Sequence, residues 1–427
     1  MTSTDTKAKG GGALVVILGA LTALGPLSND TYLPGLPDLS RDLHASASAS
    51  QLTLTAVLVG LGLGQLLAGP ISDALGRRRP LLVGLAVYTA ASLLCAVAPN
   101  IWVLVALRLI QGLGGGVGTV IAAAVVRDKH EGAAAAKYFS LLMLITGLAP
   151  VLAPVGGGQL LRFTSWHGIF NLLGILGALM LVVVAFGLPE THPTERRQTG
   201  GLKAIAPVFK KLLSDRVFVG YNLGAGLAFA AMFAYIAGSP FVLQDIHKMS
   251  PQGFSAVFAV NAFGLVICAQ IVGRVVHRTG PRPLLALGLT GSAVGGLGLL
   301  VTVLAGGGLV PLLVALFVVV ASVGLVMPTS FALAMQEHGD SAGAAAALLG
   351  LSQYIIGAAV VPLVGLAGKG TAVPMGIVIA VLGVGALFFF TTLTRSKAGA
   401  AGAVAAEGTD AAVDADADSQ ELRTAGV

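Results

Sequence analysis

Long apolar stretches of about twenty residues recur along the chain, and short segments that carry most of the charged side chains separate them. A helix needs about twenty apolar residues to cross the roughly 30 Å hydrocarbon core of a bilayer. The stretches show no period-two alternation of apolar and polar residues, which excludes a membrane β-barrel. The pattern predicts an all-α membrane protein with twelve transmembrane helices. The predicted spans cover residues 13–34, 51–72, 80–98, 101–124, 138–160, 168–188, 217–243, 252–275, 283–304, 309–334, 343–366 and 372–394.

The spans fall into two groups of six, which predicts an N-terminal bundle at 13–188 and a C-terminal bundle at 217–395. The hydrophilic linker at 189–216 contains a short amphipathic segment, which we expect to form a helix on the membrane surface. Residues 1–12 are expected to be a cytoplasmic N-terminus. Residues 396–427 are rich in Ala, Gly and Asp without an apolar helical face, which predicts a disordered cytoplasmic tail.

Composition supports this interpretation, because the 427 residues are 56% hydrophobic and only 10% charged. Soluble domains carry about 25% charged residues. The 59 glycines include runs such as Gly60–Gly64 and Gly112–Gly118, which we interpret as packing faces between membrane helices. Cys95 and Cys268 lie inside apolar spans and are interpreted as small hydrophobic residues. With no nucleophile–base pair or metal-ligand motif in the chain, we expect neither an enzyme nor a protein with a metal or cofactor.

The distribution of Lys and Arg predicts the orientation of the chain. Of the 25 basic residues, Arg41, Arg162, Lys248 and Lys369 fall in one set of loops, Arg108 falls in a span, and the rest fall in the other loops and the termini. Basic loops mark the cytoplasmic side. We therefore expect a multi-pass protein of the bacterial cytoplasmic membrane with both termini cytoplasmic, and no nucleic-acid partner. The first span is interpreted as a retained helix rather than a cleaved signal peptide, because many spans follow it.

The two halves repeat a loop. GPISDALGRRRP begins at Gly69 and GRVVHRTGPRP begins at Gly273, and an offset of 204 residues relates both Gly69 to Gly273 and Gly76 to Gly280. Such repeats indicate two bundles related by an axis along the membrane normal. This architecture predicts a substrate site near the midplane, between the halves.

Two charges lie deep within apolar spans, Asp30 near the end of the first and Arg108 in the fourth. A charge inside a bilayer costs several kcal/mol and usually faces a cavity or a partner with a function. One buried acid and one buried base in a chain of this composition indicate a transporter.

Several segments resemble the major facilitator superfamily. GPISDALGRRRP resembles the superfamily's GxxxDRxGRR loop, RLIQGLGGG resembles a motif of its drug:proton antiporters, and GLAPVLAPVGG resembles a motif of its exporters. NDTYLPGLPDL, SWHGIF and SPFVLQDIHKMSPQGFSAVFAVNA resemble the Bcr/CflA group of multidrug efflux proteins. The resemblance covers about residues 13–395 and implies proton-driven export of small, mostly apolar antibiotics by alternating access.

Within this scheme Asp30 is the expected proton carrier. Hydration and nearby cations set the proton affinity of a carboxyl group, so an acid exposed alternately to each side can bind and release a proton. The alternative is an acid at the outer end of the span, because Pro26, Pro34 and Pro37 make the helix boundary ambiguous. Arg108 is predicted at the same depth as Asp30 and forms the second member of a proton-coupling pair. The alternative is that Arg108 satisfies helix C-terminal carbonyl groups within the N-terminal bundle.

The repeated loop and the fifth span are expected to control conformation. Asp73 would face the start of span eleven near Ser341 and stabilise the outward-facing state, although Ala74 stands where the family pattern usually has Arg. The alternative is that these charges serve only topology. The predicted latch comprises Gly69, Asp73, Gly76, Arg77, Arg78, Arg127 and Asp128. The predicted hinge of the fifth span, for which simple packing is the alternative, comprises Gly147, Pro150, Pro154 and Gly157.

Polar and aromatic residues on spans that border the cavity are candidates for substrate contact. They are Asn29, Tyr32, Gln111, Tyr235, Phe241, Asn261, Gln353 and Tyr354. We predict a monomeric proton-coupled antiporter that exports lipophilic drugs resembling chloramphenicol or bicyclomycin. The alternatives are a proton-linked uptake transporter for a metabolite and a channel or sensor without coupled transport.

Overall fold

The computed structural model describes residues 5–193, 206–337, 342–366, 368 and 370–394. Five regions that entered the predictions lie wholly or partly outside these residues: the N-terminal segment 1–12, the linker at 194–205, Ser341, Lys369, and the tail at 396–427.

The described chain is helical, and the N-terminal half folds into one bundle of six membrane spans. Its elements are α1 (Asp5–Asp30), a 3₁₀ turn (Leu33–Gly35), α2 (Leu36–Asp42), α3 (Ala47–Leu75), α4 (Arg78–Cys95), α5 (Ile101–Lys129), α6 (Gly132–Leu160) and α7 (Trp166–Gly187). The first of the six spans consists of α1 and α2 together. In this bundle α5 packs against α1, α3 and α4, while α1 packs against α6 and α4 against α7.

The C-terminal half repeats this arrangement after a short linker helix. Its elements are α8 (Ala206–Ser214), α9 (Arg216–Pro240), a π-helical segment (Phe241–Ile246), α10 (Pro251–Thr279), α11 (Pro281–Leu304), α12 (Leu309–Glu337), α13 (Ala342–Val360), a 3₁₀ segment (Val361–Gly365) and α14 (Val373–Leu393). The linker helix α8 packs against α9 and α13 and buries Leu212, so its apolar face meets the C-terminal bundle.

Among the described residues, eleven helical segments are long and apolar enough to cross a membrane. Helix α4 provides the twelfth span of the fold. Its eighteen residues begin with Arg78 and Arg79, which lowers their mean hydropathy. The predicted class of twelve transmembrane helices in two six-helix bundles is confirmed.

The outer surface of the bundles is apolar. Large side chains on one side of α7 are exposed, including Phe186, which is 90% exposed, and Ile175 and Val182. A soluble protein rarely exposes a continuous apolar surface of this kind. Lipid is therefore the medium in which this surface is stable.

Glycine pairs allow close helix packing, as the sequence predicted. A Cβ on Gly60 would lie 2.3 Å from the carbonyl oxygen of Leu109, and one on Gly112 would lie 2.3 Å from that of Val57. Helices α3 and α5 approach backbone to backbone here, and any larger side chain would force them apart.

The structural repeat keeps the offset found in the sequence. Ser46 and Ser250, which the same 204-residue offset relates, each cap a helix by accepting the N–H of the residue three positions on. Gly76 follows the last residue of α3 and Gly280 follows the last residue of the equivalent helix α10, with φ of 89° and 75°. Only glycine adopts such angles without strain, so the repeated glycines set both turns.

The bundles meet along two seams, α3 against α13 and α6 against α10. We call the membrane face with the 76–78, 130–131 and 280 loops the basic face, and the other the opposite face. Five hydrogen bonds from side chains to backbone carbonyl groups cross between the bundles in the described part of the chain, and all five lie in the half nearer the opposite face. The molecule is thus closed at the opposite face.

Candidate functional site: a cavity between the bundles

A cavity of about 280 Å³ lies between the two bundles. Its wall is mostly apolar and aromatic. Among the described residues that line it, Asp30 carries the only charge. The lining residues are Thr22, Gly25, Pro26, Asn29, Asp30, Leu58, Leu61, Gln65, Thr119, Thr146, Gly147, Pro150, Phe229, Met232, Phe233, Tyr235, Ile236, Phe258, Ala262, Leu265, Val320 and Tyr354.

Asp30 is the last residue of α1, and its side chain is buried. The Nδ2 of Asn29 donates a hydrogen bond to Oδ1 of Asp30 at 2.7 Å. After Asp30 the chain continues through the 3₁₀ turn at Leu33–Gly35 and into α2, and most of these residues are buried. The helical segment therefore extends well beyond Asp30, and the structure places this acid within the molecule rather than at the outer end of the span.

Arg108 lies on α5 and is fully buried. Its Nη1 donates to the carbonyl oxygen of Ser28 at 2.9 Å and to Oε1 of Gln111 at 2.6 Å. Its guanidinium also lies over the Tyr32 ring, with the Cζ atom 4.4 Å from the ring centroid. Ser28 belongs to the last turn of α1, where carbonyl groups lack helical partners. Arg108 therefore satisfies the end of the helix that carries Asp30.

No ion pair joins Arg108 to Asp30 or to any other described carboxylate. The Nε and Nη2 atoms of Arg108 are buried and have no hydrogen-bond partner among the described residues. Arg108 therefore binds α1 at Ser28, two residues before Asp30, but Arg108 and Asp30 are not in direct contact in this conformation.

Three of the predicted substrate residues line the cavity, namely Asn29, Tyr235 and Tyr354. Asn261 lies behind the wall and its Nδ2 donates to the Tyr235 hydroxyl at 3.0 Å, so it orients a lining residue.

The other four candidates do not line the cavity in this conformation. Tyr32 and Gln111 belong to the Arg108 cluster in the N-terminal bundle. Phe241 starts the π-helical segment near the opposite face, and Gln353 is buried beside Tyr354 without lining the cavity. Residue type and span make each of them a candidate, but the span alone does not determine which way a side chain points.

The C-terminal half of the wall is aromatic, and the sequence reasoning missed most of it. The ring centroids of Phe229 and Phe233 lie 4.9 Å apart, and Phe258 stacks on Tyr235 with their ring centroids 5.6 Å apart. Phe229, Met232, Phe233 and Ile236 share one face of α9 at helical spacing, which is the signal that could have found them. Gln65, Thr119 and Thr146 supply polar groups on the N-terminal half of the wall.

The predicted latch residues form a charge cluster at the basic face. Arg77 donates to Asp128 from Nε at 2.9 Å and to Asp73 from Nη1 at 2.5 Å. Asp73 is about half exposed, and Gly69 has open space beside it. Arg78 donates to the carbonyl oxygen of Ala185. Arg127 is exposed in the last turn of α5 and immediately precedes Asp128 in the sequence.

Glu190 joins the same cluster and was not predicted. Its carboxylate accepts the backbone N–H groups of Arg77, Arg78, Thr191 and His192 at 2.8–3.2 Å. Partial burial alone would raise the pKa of Glu190, but these four donors together hold it below the usual value. A loop carboxylate that binds backbone groups leaves no side-chain pattern in the sequence.

The predicted hinge residues divide between the cavity and the packed core. Gly147 and Pro150 line the cavity, and a Cβ added to Gly147 would meet no neighbour within 4 Å. A Cβ on Gly157 would instead lie 1.8 Å from the carbonyl oxygen of Thr31, so this glycine allows α6 to pack on the segment after Asp30. Pro154 accepts a hydrogen bond from Ser255 across the seam.

Comparisons with known proteins identify the family. Residues 18–362 match the Major Facilitator Superfamily, and the chain belongs to it. It is a membrane transporter and not an enzyme. The chain is 43% identical over 393 residues to a protein of Bacillus subtilis (strain 168) named uncharacterized MFS-type transporter YdgK, covering 91% of this chain and 96% of that protein.

Other relatives have names that refer to drugs. A bicyclomycin resistance protein homolog of Haemophilus influenzae is 30% identical over 84% of this chain and 91% of its own. A chloramphenicol resistance protein of Pseudomonas aeruginosa is 32% identical over 65% of each chain. Among solved structures, a D-xylose-proton symporter superposes with a TM-score of 0.71 at 16% identity, covering 89% of this chain and 97% of its own, which supports the fold.

Proposed function

We propose that this transporter is a proton-coupled antiporter that exports small lipophilic antibiotics by alternating access. The observation that carries the proposal is the cavity between the bundles, whose apolar and aromatic wall contains one carboxylate, Asp30. Such a wall suits neutral or cationic lipophilic compounds that resemble chloramphenicol or bicyclomycin. The names of the drug-resistance relatives point to the same class of substrate.

Asp30 is the proposed site of proton coupling, and Arg108 assists it. A carboxyl group changes its proton affinity when its hydration or its distance from a cation changes. Asp30 lines the cavity, while Arg108 holds the last turn of α1 through the Ser28 carbonyl oxygen. A movement of α1 relative to α5 would alter both the hydration of Asp30 and its distance from Arg108. Asn29, Tyr235 and Tyr354 are the proposed substrate contacts.

The basic face is the proposed cytoplasmic side, so the described conformation is closed toward the outside of the cell. The Lys and Arg bias supports this orientation, with both termini in the cytoplasm of a bacterial cell. The proposed transporter acts as a monomer. In the outward-facing state the Asp73 carboxylate would move to the start of α13 and stabilise it as a helix N-terminal anion. Gly147 and Pro150, which line the cavity, are the proposed points of bending in α6.

The test uses inside-out vesicles that contain the purified protein and an imposed pH gradient. The parent should accumulate an antibiotic chosen from a resistance panel and should release protons when that antibiotic is added. Asp30→Asn should abolish gradient-driven accumulation while the protein stays folded and inserted. The matched control, Asp245→Asn, removes a carboxylate near the opposite face and should transport like the parent.

The outcomes separate the alternatives. Undiminished active transport by Asp30→Asn would remove Asp30 from the mechanism. Transport only in the opposite direction would indicate a proton-linked uptake system. A substrate response without any proton movement would indicate a channel or a sensor.

A further inference from the structure

Helix α3 donates three hydrogen bonds to backbone carbonyl groups of the C-terminal bundle near the opposite face. Ser48 donates to the oxygen of Pro362 at 2.7 Å. Thr55 donates to the oxygen of Ala358 at 3.0 Å. The third donor, Gln51, reaches the C-terminal bundle from its Nε2. The three donors lie on one side of α3, because their spacing of three and four residues follows the helical repeat.

The acceptors are carbonyl groups that helix irregularities leave without their usual partners. In an α-helix the oxygen of Ala358 would accept the N–H four residues on, but that residue is Pro362, which has none. The oxygen of Ala237 would accept the N–H of Phe241, but that group donates to Gly238 where the helix changes to π geometry. Gln51 instead donates to Ala237 at 3.0 Å. A buried carbonyl oxygen without a hydrogen-bond donor is costly. Side chains of α3 donate to these oxygens in place of the missing helical N–H groups.

The second seam has the same kind of bond, but here the C-terminal bundle supplies the donor and the N-terminal bundle the acceptor. Gln252 on α10 donates to the oxygen of Gly158 on α6 at 2.7 Å. The 204-residue offset that relates the repeated loops also relates Ser48 to Gln252 and Gly158 to Pro362. The same donor and acceptor positions are therefore used on both sides of the pseudo-symmetry axis.

A second bond at this seam uses an acceptor at a repeated position. The Ser255 hydroxyl on α10 lies 2.8 Å from the oxygen of Pro154 across the seam and 2.8 Å from the oxygen of Pro251 in its own helix. Pro154 corresponds to Ala358 by the same offset. The seam is also sterically tight, because a Cβ on Gly158 would lie 2.3 Å from Oγ of Ser255. At both seams, therefore, side-chain donors contact backbone carbonyl oxygens of the other bundle.

We propose that these five hydrogen bonds form a carbonyl clamp that holds the opposite face closed and sets how often it opens. The carbonyl clamp comprises the donors Ser48, Gln51, Thr55, Gln252 and Ser255 with their five acceptors. In the closed state the clamp satisfies these groups away from water, and opening the face exchanges each bond for hydration. This inference rests on alternating access, which is part of the proposed function. A net hydrogen bond of ordinary strength corresponds to a population change of about two- to tenfold.

The test measures conformation directly, without substrate or a proton gradient. A reporter cysteine replaces Met232, which lines the cavity. The background carries Cys95→Ser and Cys268→Ser. Vesicles of each orientation are treated with a membrane-impermeant maleimide, and the measured quantity is the ratio of the labelling rates from the opposite and basic faces. Thr55→Val, which removes the hydroxyl but keeps the shape, should raise this ratio about two- to tenfold, and Ser48→Ala should do the same.

Two control variants test whether the effect depends on a hydroxyl that bonds across the seam. Thr55→Ser retains a hydroxyl and should leave the ratio near that of the parent. Ser50→Ala removes a hydroxyl from the same helix that bonds only to Ser46 in its own turn, so it should also leave the ratio unchanged. If Thr55→Val fails to fold, Ser255→Ala gives the same reading at the other seam.

A parental ratio in both Thr55→Val and Ser48→Ala would overturn the clamp. The clamp is also overturned if Ser50→Ala shifts the ratio as strongly as they do, because the effect would then not depend on bonds across the seam. Because no drug is present, a failed transport assay would leave this measurement intact, and a parental ratio would leave the transport proposal standing.

Discussion

At the scale of single residues, Arg108 shows how a charge can remain in the core of a membrane bundle. A buried guanidinium is costly unless hydrogen bonds and neighbouring groups compensate for lost hydration. Arg108 lies over two aromatic rings, those of Tyr32 and Phe170, and donates to Gln111 and to the end of α1. It therefore acts as a structural anchor for α1, whatever further part it has in proton coupling.

The anchor role predicts a loss of stability in Arg108→Ala. The variant leaves the Ser28 carbonyl oxygen and Gln111 without their donor, and each buried group left unpaired costs about 1–3 kcal/mol. We expect the thermal unfolding midpoint in detergent to fall by several degrees. Arg108→Lys should recover only part of this loss, because an ammonium group cannot reproduce the planar guanidinium. The control Arg162→Ala removes an exposed arginine and should change little. An Arg108→Ala midpoint equal to that control would exclude the anchor role.

The cost of burial marks single residues in the sequence, whereas helix breaks decide where other side chains lie. Asp30 stood out because a carboxylate inside an apolar stretch is expensive. Tyr32 and Phe241 are candidates because of their spans, but both lie beside helix breaks, a 3₁₀ turn and a π-helical segment, and neither lines the cavity. Such breaks rotate the following side chains away from the direction that an ideal helix predicts.

At the scale of elements, a carboxylate from another part of the chain caps helix α4. Its first N–H groups have no intrahelical acceptors. Glu190, three residues beyond α7, accepts the N–H groups of Arg77 and Arg78 and so ties the end of α7 to the start of α4. The sequence predicted both helices, but it gave no sign of this cap, because its partners are backbone groups.

This cap predicts a stability difference that depends on pH. The folded protein holds the pKa of Glu190 below its usual value of about 4.5, so the folded state favours the ionised form. The stabilisation is present above about pH 4.5 and is lost as the pH falls through the lower pKa of the folded state. Glu190→Gln should therefore lower the thermal midpoint at pH 7, and this difference should shrink as the pH falls below about 4.5.

The control for the cap is Glu131→Gln. Glu131 is exposed at the same face and its side chain makes no capping bond to α6, so its removal should have a small effect. A Glu190→Gln difference that stays constant from pH 7 down to the acid limit of folding would show that the ionised carboxylate is not the stabilising group.

At the scale of the whole molecule, the repeat decides the architecture. The offset of 204 residues was visible in the glycines of two loops, and the structure extends it to helix caps and to both seams. The sequence could therefore predict two related bundles with a site between them. It could not predict which face is closed, because the seam bonds join side chains to backbone carbonyl groups, and some of these lose their helical partners only where a helix deviates from α geometry.

The two seams predict how the bundles move. If the bundles rock as rigid bodies, both seams must open in the same event, and the free-energy effects of breaking one bond in each seam should add. Thr55 and Ser255 lie on different helices and share no bonding partner. In the Met232→Cys labelling assay, the double variant Thr55→Val with Ser255→Ala should therefore change the ratio by the product of the two single changes. A double variant no different from the more affected single variant would indicate instead that each seam opens independently.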